Sequence, residues 1–203
     1  MTVPSPATQI QAIVIGGSAG ALEALGVILH ALPAGFRVAV VIVLHVPPHR
    51  PSFLARVLAN KTVLRVKEVD DKEPVTGGTV FVAPPNYHLL IERDRRFALS
   101  MDAPVNFSRP AIDVLFESAA ETYGAALAGV VLSGANEDGA RGLRRIKESG
   151  GLALVQSPES AQMPTMPLAA APHAGSGHAL PPAQLGSFLV ALGAKRGADQ
   201  ESP

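Results

Sequence analysis

The chain has 203 residues, enough to bury a full hydrophobic core. Apolar residues make up 47% and charged residues 17%, which excludes an intrinsically disordered chain. Lysine plus arginine equals aspartate plus glutamate at 17 each, so no charge excess points to nucleic acid or an anionic membrane. The absence of cysteine removes disulfides, thiol catalysis and thiolate metal sites together, and it fits a reducing compartment. Residues 1–9 carry neither the basic nor the apolar region of a signal peptide. The longest apolar run, Val38 to Leu44, is far too short to cross a bilayer. A soluble cytoplasmic protein is the expectation.

After a polar tail over residues 1–10, the apolar run Ala12-Ile13-Val14-Ile15 reads as a buried strand. The glycine turn Gly16-Gly17-Ser18-Ala19-Gly20 follows, then leucines at 22, 25, 29 and 32 at helical spacing, stopped by Pro33 and Gly35. Val38 to Leu44 is a continuous run of the kind found in a parallel strand covered on both faces. It ends at His45, before Val46-Pro47-Pro48-His49. Residues 52–60 predict a short helix with Phe53, Leu54, Val57 and Leu58 on one side, and Val63 to Val66 a strand. Thr79 to Ala83 is another strand, and residues 88–92 and 96–100 predict a hairpin. A loop over 101–110 leads to a helix whose apolar positions are Ile112, Leu115, Phe116, Ala119, Ala120 and Tyr123. The spacing then predicts a strand over 126–132, a helix over 137–148 and a strand over 152–155. A loop rich in proline and methionine over 157–167, a short helix at 168–171 and a last helix over 182–192 complete the chain. This alternation predicts an α/β fold: a doubly wound, mostly parallel sheet flanked by helices in three layers, flavodoxin- or Rossmann-like, with one β-hairpin. One domain over 1–203 is expected, with its core at about 11–192 and tails at 1–10 and 194–203.

Ligands on such folds sit beyond the C-terminal ends of the strands. Ser18, His45 and Asp138 are all expected at that edge. A serine hydroxyl becomes a nucleophile when a neighbouring base takes its proton, and the base needs a third group to fix its tautomer. These residues supply the three chemistries. Each also has a plainer reading: Ser18 as a helix N-cap, His45 as a packed histidine, Asp138 as an acid placed by the helix dipole. Nucleotide binding is the main rival for the glycine turn, but the turn fits neither G-x-G-x-x-G nor a P-loop, and the second strand ends in histidine rather than an acid. A metal site from His45 and His49 would need a helical turn that Pro47-Pro48 forbids, so neither metal nor cofactor is expected. The chain order Ser, His, Asp differs from the Ser, Asp, His order of the α/β-hydrolases.

With those residues in place, the chain closely resembles the catalytic domain of CheB, the protein-glutamate methylesterase of bacterial chemotaxis. The resemblance runs from about Gln11 to Leu189. It is carried by Ile15 to Leu25, by His45-Val46-Pro47-Pro48 and by Val80 to His88. Arg109 to Phe116, Leu132 to Ala140 and Pro164-Thr165-Met166-Pro167 complete it. The family's triad then falls on Ser18, His45 and Asp138. The resemblance implies hydrolysis of glutamate γ-methyl esters on the cytoplasmic helices of methyl-accepting receptors, with methanol released, and in some members glutamine deamidation. Backbone N–H groups of Ala19 and Ala135 are the expected oxyanion donors, and Gly17, His88, Asn136 and Met166 are expected at the site edge. Well-known members carry Met-Gly where this chain has Ala135-Asn136, and an N-terminal receiver domain that is not seen ahead of the first strand. The expectation is therefore a stand-alone methylesterase domain, free or excerpted from a longer protein, monomeric, and with an open site unless the 157–167 loop forms a lid. The alternative is a non-catalytic module of a chemosensory complex.

Overall fold

The computed structural model describes residues 9–45 and 53–194. The first half of the chain forms β1 (Ala12–Gly17), α1 (Ala21–Ala31), β2 (Ala39–Leu44), α2 (Leu54–Ala59), β3 (Arg65–Glu68) and β4 (Thr79–Val82). The hairpin β5 (His88–Ile91) and β6 (Phe97–Ser100) follows, then α3 (Ile112–Tyr123), β7 (Leu127–Val131) and α4 (Ala140–Glu148). The last elements are β8 (Leu152–Gln156), α5 (Thr165–Ala170), β9 (Ala179–Leu180) and α6 (Pro182–Ala194). Among the described residues seven strands make one sheet in the order β3-β4-β2-β1-β7-β8-β9, and each adjacent pair is parallel. The hairpin is a separate antiparallel sheet.

The sheet reads as unbroken apolar runs because both its faces are covered. Ile13, Ile15, Val40, Ile42 and Val130 face one layer with Leu25, Ile28 and Leu29 of α1 and Leu185 and Leu189 of α6. Their neighbours Val14, Val41, Val43 and Val131 face the other, with Ile112, Leu115 and Phe116 of α3, Leu143 and Ile146 of α4, and the hairpin. The order reverses at β1, which has β2 on one side and β7 on the other. Such reversals open the crevice in which doubly wound folds bind ligands.

Several boundaries differ from expectation. Leu22 faces solvent at 43% exposure, so the core stripe of α1 is Leu25, Ile28 and Leu29. Only Leu58 of α2 is buried, while Phe53 and Val57 are exposed. β3 begins at Arg65, two residues beyond the exposed Val63. α4 starts at Ala140 rather than 137, which leaves Asp138 outside the helix. The 157–167 segment holds a 3₁₀ turn at Pro158–Ser160 and the start of α5. β9 has only two residues, too few to give a pattern in sequence.

Gly16 lies where β1 passes under α3. A Cβ built there would run into Cγ2 of Ile112, a β-branched side chain with little rotamer freedom. Gly16→Ala is therefore expected to cost about 1–3 kcal/mol by overpacking. A denaturant midpoint equal to that of the wild type would show that α3 yields freely.

Candidate active site

The serine turn is built by the end of β1. Ser18 and His45 are the residues immediately after Gly17 and Leu44, the last register pair of β1 and β2. The His45 amide donates to Gly17 O at 3.2 Å, and the Ser18 amide donates to Ser133 O at 2.9 Å. Ser18 and His45 thus leave neighbouring strands at the same level. Gly20, at φ 78°, is the N-cap of α1, and among the described residues no side chain caps that helix. This overturns the capping reading of Ser18: its half-buried hydroxyl hydrogen-bonds to none of the described residues.

His45 Nε2 lies 2.8 Å from Asp138 Oδ2. A carboxylate only accepts, so Nε2 carries the hydrogen and Nδ1 holds the free lone pair of the neutral ring. Nδ1 is 3.4 Å from Ser108 Oγ. The structure therefore joins His45 to Asp138 directly, whereas Ser18 and His45 share the strand edge without a side-chain hydrogen bond. The imidazole is 13% exposed and the Asp138 side chain fully buried.

Asp138 is saturated with donors. Oδ2 accepts from the Ile112 amide at 2.6 Å as well as from His45, and Oδ1 accepts from the Asp113 amide at 3.1 Å and Asn106 Nδ2 at 2.9 Å. The two amides belong to the N-terminus of α3, so Asp138 caps a helix far from it in sequence. Asp113 returns the arrangement: its Oδ1 accepts from Gly139 at 3.0 Å and Gly142 at 2.7 Å, at the start of α4. Asn106 spans the pair, donating also to Asp113 Oδ2 at 3.0 Å. Burial pushes the Asp138 carboxyl up, but the hydrogen bonds from His45, Ile112, Asn106 and Asp113 outweigh it and hold Asp138 below the usual carboxylate value. Burial, helped by the charge of Asp138, leaves Asp113 above that value despite donors from Gly142 and Asn106 and the nearby Arg141. Asp138 is thus the fixed anion of the site.

The remaining expected residues divide. A Cβ on Gly17 would meet Ala21 Cβ at 2.5 Å, so that glycine permits the tight turn. The Ala19 and Ala135 residues are exposed, and their amides hydrogen-bond to none of the described residues. Asn136 Oδ1 accepts from the Asp138 amide at 3.2 Å, shaping the loop that presents the carboxylate. Met166 is buried behind Gly134, whose absent side chain makes room for it. His88 does not reach the site. It is buried in the hairpin, bonded to Ala103 O at 3.0 Å and accepting from the Ala111 amide at 3.2 Å, next to the start of α3. Residues 46–52, with Pro47-Pro48 and His49, lie outside the described residues, as do 1–8 and 195–203 of the two tails.

Asn106, Ser108, Asp113 and Ser133 escaped sequence reasoning. Ser133, fully buried, donates to Ala19 O at 2.7 Å and accepts from the Met163 amide at 2.9 Å, tying the serine turn to the 157–167 segment. That segment is further fixed by Gly134 donating to Met163 O and Met166 donating to Gly134 O. Only Asp113 left a trace, as a lone acid on the otherwise apolar first turn of α3.

The family model described as CheB methylesterase matches residues 13–189. The chain belongs to the CheB methylesterase family. It is 51% identical over 160 residues to a Leptospira interrogans protein provisionally named protein-glutamate methylesterase/protein-glutamine glutaminase, covering 79% of this chain and 83% of that one. The Trichodesmium erythraeum protein-glutamate methylesterase/protein-glutamine glutaminase is 40% identical over 162 residues, covering 78% of this chain and 46% of its own. The crystal structure of the Thermotoga maritima CheB methylesterase catalytic domain matches with a TM-score of 0.83 at 32% identity, over 91% of this chain and 99% of that one. With the family, the chain is an ester hydrolase built on the CheB catalytic fold.

Proposed function

We propose that this chain hydrolyses glutamate γ-methyl esters, and the corresponding glutamine side-chain amides, on the cytoplasmic helices of methyl-accepting receptors, with Ser18, His45 and Asp138 as its catalytic triad. The observation that carries the assignment is the 2.8 Å bond from His45 to a fully buried Asp138, beside a serine whose hydroxyl hydrogen-bonds to none of the described residues. The paired names of the relatives supply the substrate class. Ser18 Oγ attacks the γ-carbonyl carbon while His45 Nδ1 takes its proton. The tetrahedral oxyanion is held by backbone N–H groups, with Ala19 and Ala135 as donors. His45 then gives its proton to the leaving methoxide, releasing methanol and leaving a γ-glutamyl ester on Ser18. Water, deprotonated by His45, attacks that ester and frees the glutamate and the serine.

An amide passes through the same acyl-enzyme and releases ammonia instead. The compartment that fits this substrate is the cytoplasm, and among the described residues no helix is long and apolar enough to cross a membrane. Methanol release from methylated receptor membranes, and ammonia release from unmethylated ones, is expected from the wild-type chain. A fluorophosphonate probe is expected to label Ser18. Neither product and no label would leave the chain as a non-catalytic module on the same fold.

A further inference from the structure

The loop before α3 carries an aromatic side chain where its backbone favours glycine. Val105 and Ser108 exchange backbone hydrogen bonds of 3.1 and 2.9 Å, closing a two-residue turn. Both central residues have positive φ, 50° at Asn106 and 60° at Phe107. Turns of this kind take asparagine and then glycine, since asparagine tolerates the left-handed region and glycine has no side chain to clash. A bulky residue there is strained. Burial does not compensate, because the Phe107 side chain is fully exposed at 105%.

The same turn is anchored on the site. Asn106 Nδ2 is 2.9 Å from Asp138 Oδ1, and Ser108 Oγ is 3.4 Å from His45 Nδ1. Phe107 lies between these two residues in the turn, and its exposed ring projects into solvent from the same short loop that bonds to Asp138 and His45. On the side of the serine turn, Met163 is also exposed, and its backbone is bonded to Ser133 and Gly134. A ring fixed by a short hydrogen-bonded turn loses little freedom on binding, which makes it an effective contact.

We propose that Phe107 is a specificity-determining residue that receives an apolar side chain of the substrate segment one helical turn from the scissile ester. On a helix, residues three and four positions from the glutamate lie on the same face as the ester, so an apolar side chain there comes within reach of the rim. This inference rests on the proposed triad.

Two helical peptides bearing a glutamate γ-methyl ester, one with leucine and one with alanine four residues away, test it alongside p-nitrophenyl acetate. The wild type is expected to prefer the leucine peptide. Phe107→Ala is expected to raise KM for that peptide about fivefold to tenfold with kcat within about twofold, removing the preference. Hydrolysis of p-nitrophenyl acetate and fluorophosphonate labelling of Ser18 should not change. Phe107→Gly is expected to raise KM equally while raising Tm by about 2–4 °C, because it relieves the strained turn. An unchanged KM with labelling intact overturns the role of Phe107 alone. Parallel losses on peptides and p-nitrophenyl acetate overturn it in favour of a structural role. A wild type that neither takes the probe nor cleaves any of the three esters overturns the triad as well.

Discussion

Replacing Ser18 with alanine is expected to lower methanol release by about 10⁵–10⁶-fold while leaving stability within about 0.5 kcal/mol of the wild type. The size of the first effect follows from removing the atom to which the acyl group is transferred, so that only the oxyanion donors and binding remain. The second follows from the position of the hydroxyl. It caps no helix and bonds to none of the described residues, since the start of α1 is shaped by Gly20 and the Ser18 main chain is held through its amide. A capping serine behaves differently: its loss costs about 1 kcal/mol and leaves turnover largely intact. Methanol assays paired with denaturant melts separate the two. Retained turnover with a lowered midpoint would return Ser18 to a structural role.

The contrast also marks how far the sequence was legible. The runs Ala12 to Ile15 and Val38 to Leu44 announced two-sided strands because nothing polar interrupts them, and the residues that end them, Ser18 and His45, fell at the sheet edge for that reason. The hairpin and the α3 stripe were equally plain, each having a period of its own. What failed to show was anything settled by contacts distant in sequence. Asp138 read as an acid in the first turn of its own helix, yet it precedes α4 and caps α3, 26 residues earlier. Asn106 and Ser108 sit in a loop with no periodicity, and their roles exist only once the loop folds onto Asp138 and His45. The apolar side of α2 misled because amphipathic spacing fixes a face without supplying a partner, and Phe53 finds none of the core. His88, which ends a matching stretch of its own and was expected at the site edge, serves the α3 N-terminus through Ala111.

Asp138→Asn is expected to lower turnover by about 10³–10⁴-fold and stability by about 1–3 kcal/mol. The two oxygens of Asp138 accept four donors, two apiece: His45 and Ile112 at one, Asn106 and Asp113 at the other. An asparagine has one oxygen. If its NH₂ group faces His45, it donates to Nε2, the ring hydrogen moves to Nδ1, and the base is lost. If the NH₂ group faces Asn106 and the Asp113 amide, donors oppose donors in a buried site.

The pH dependence has a definite sign. The folded-state pKa of Asp138 lies below its unfolded value of about 3.9, so its contribution to stability is present above that pH and is lost as the pH falls through the folded value. Asp113 is shifted the other way: its contribution is present below the unfolded value and lost as the pH rises through the folded one. Asp113 therefore offsets part of the acid loss of the wild type. The stability gap between wild type and Asp138→Asn is expected to be widest above about pH 5 and to close in acid. A gap that stays constant from pH 3 to pH 7, or an asparagine variant with turnover within tenfold of the wild type, would mean that His45 is oriented by something other than the Asp138 carboxylate.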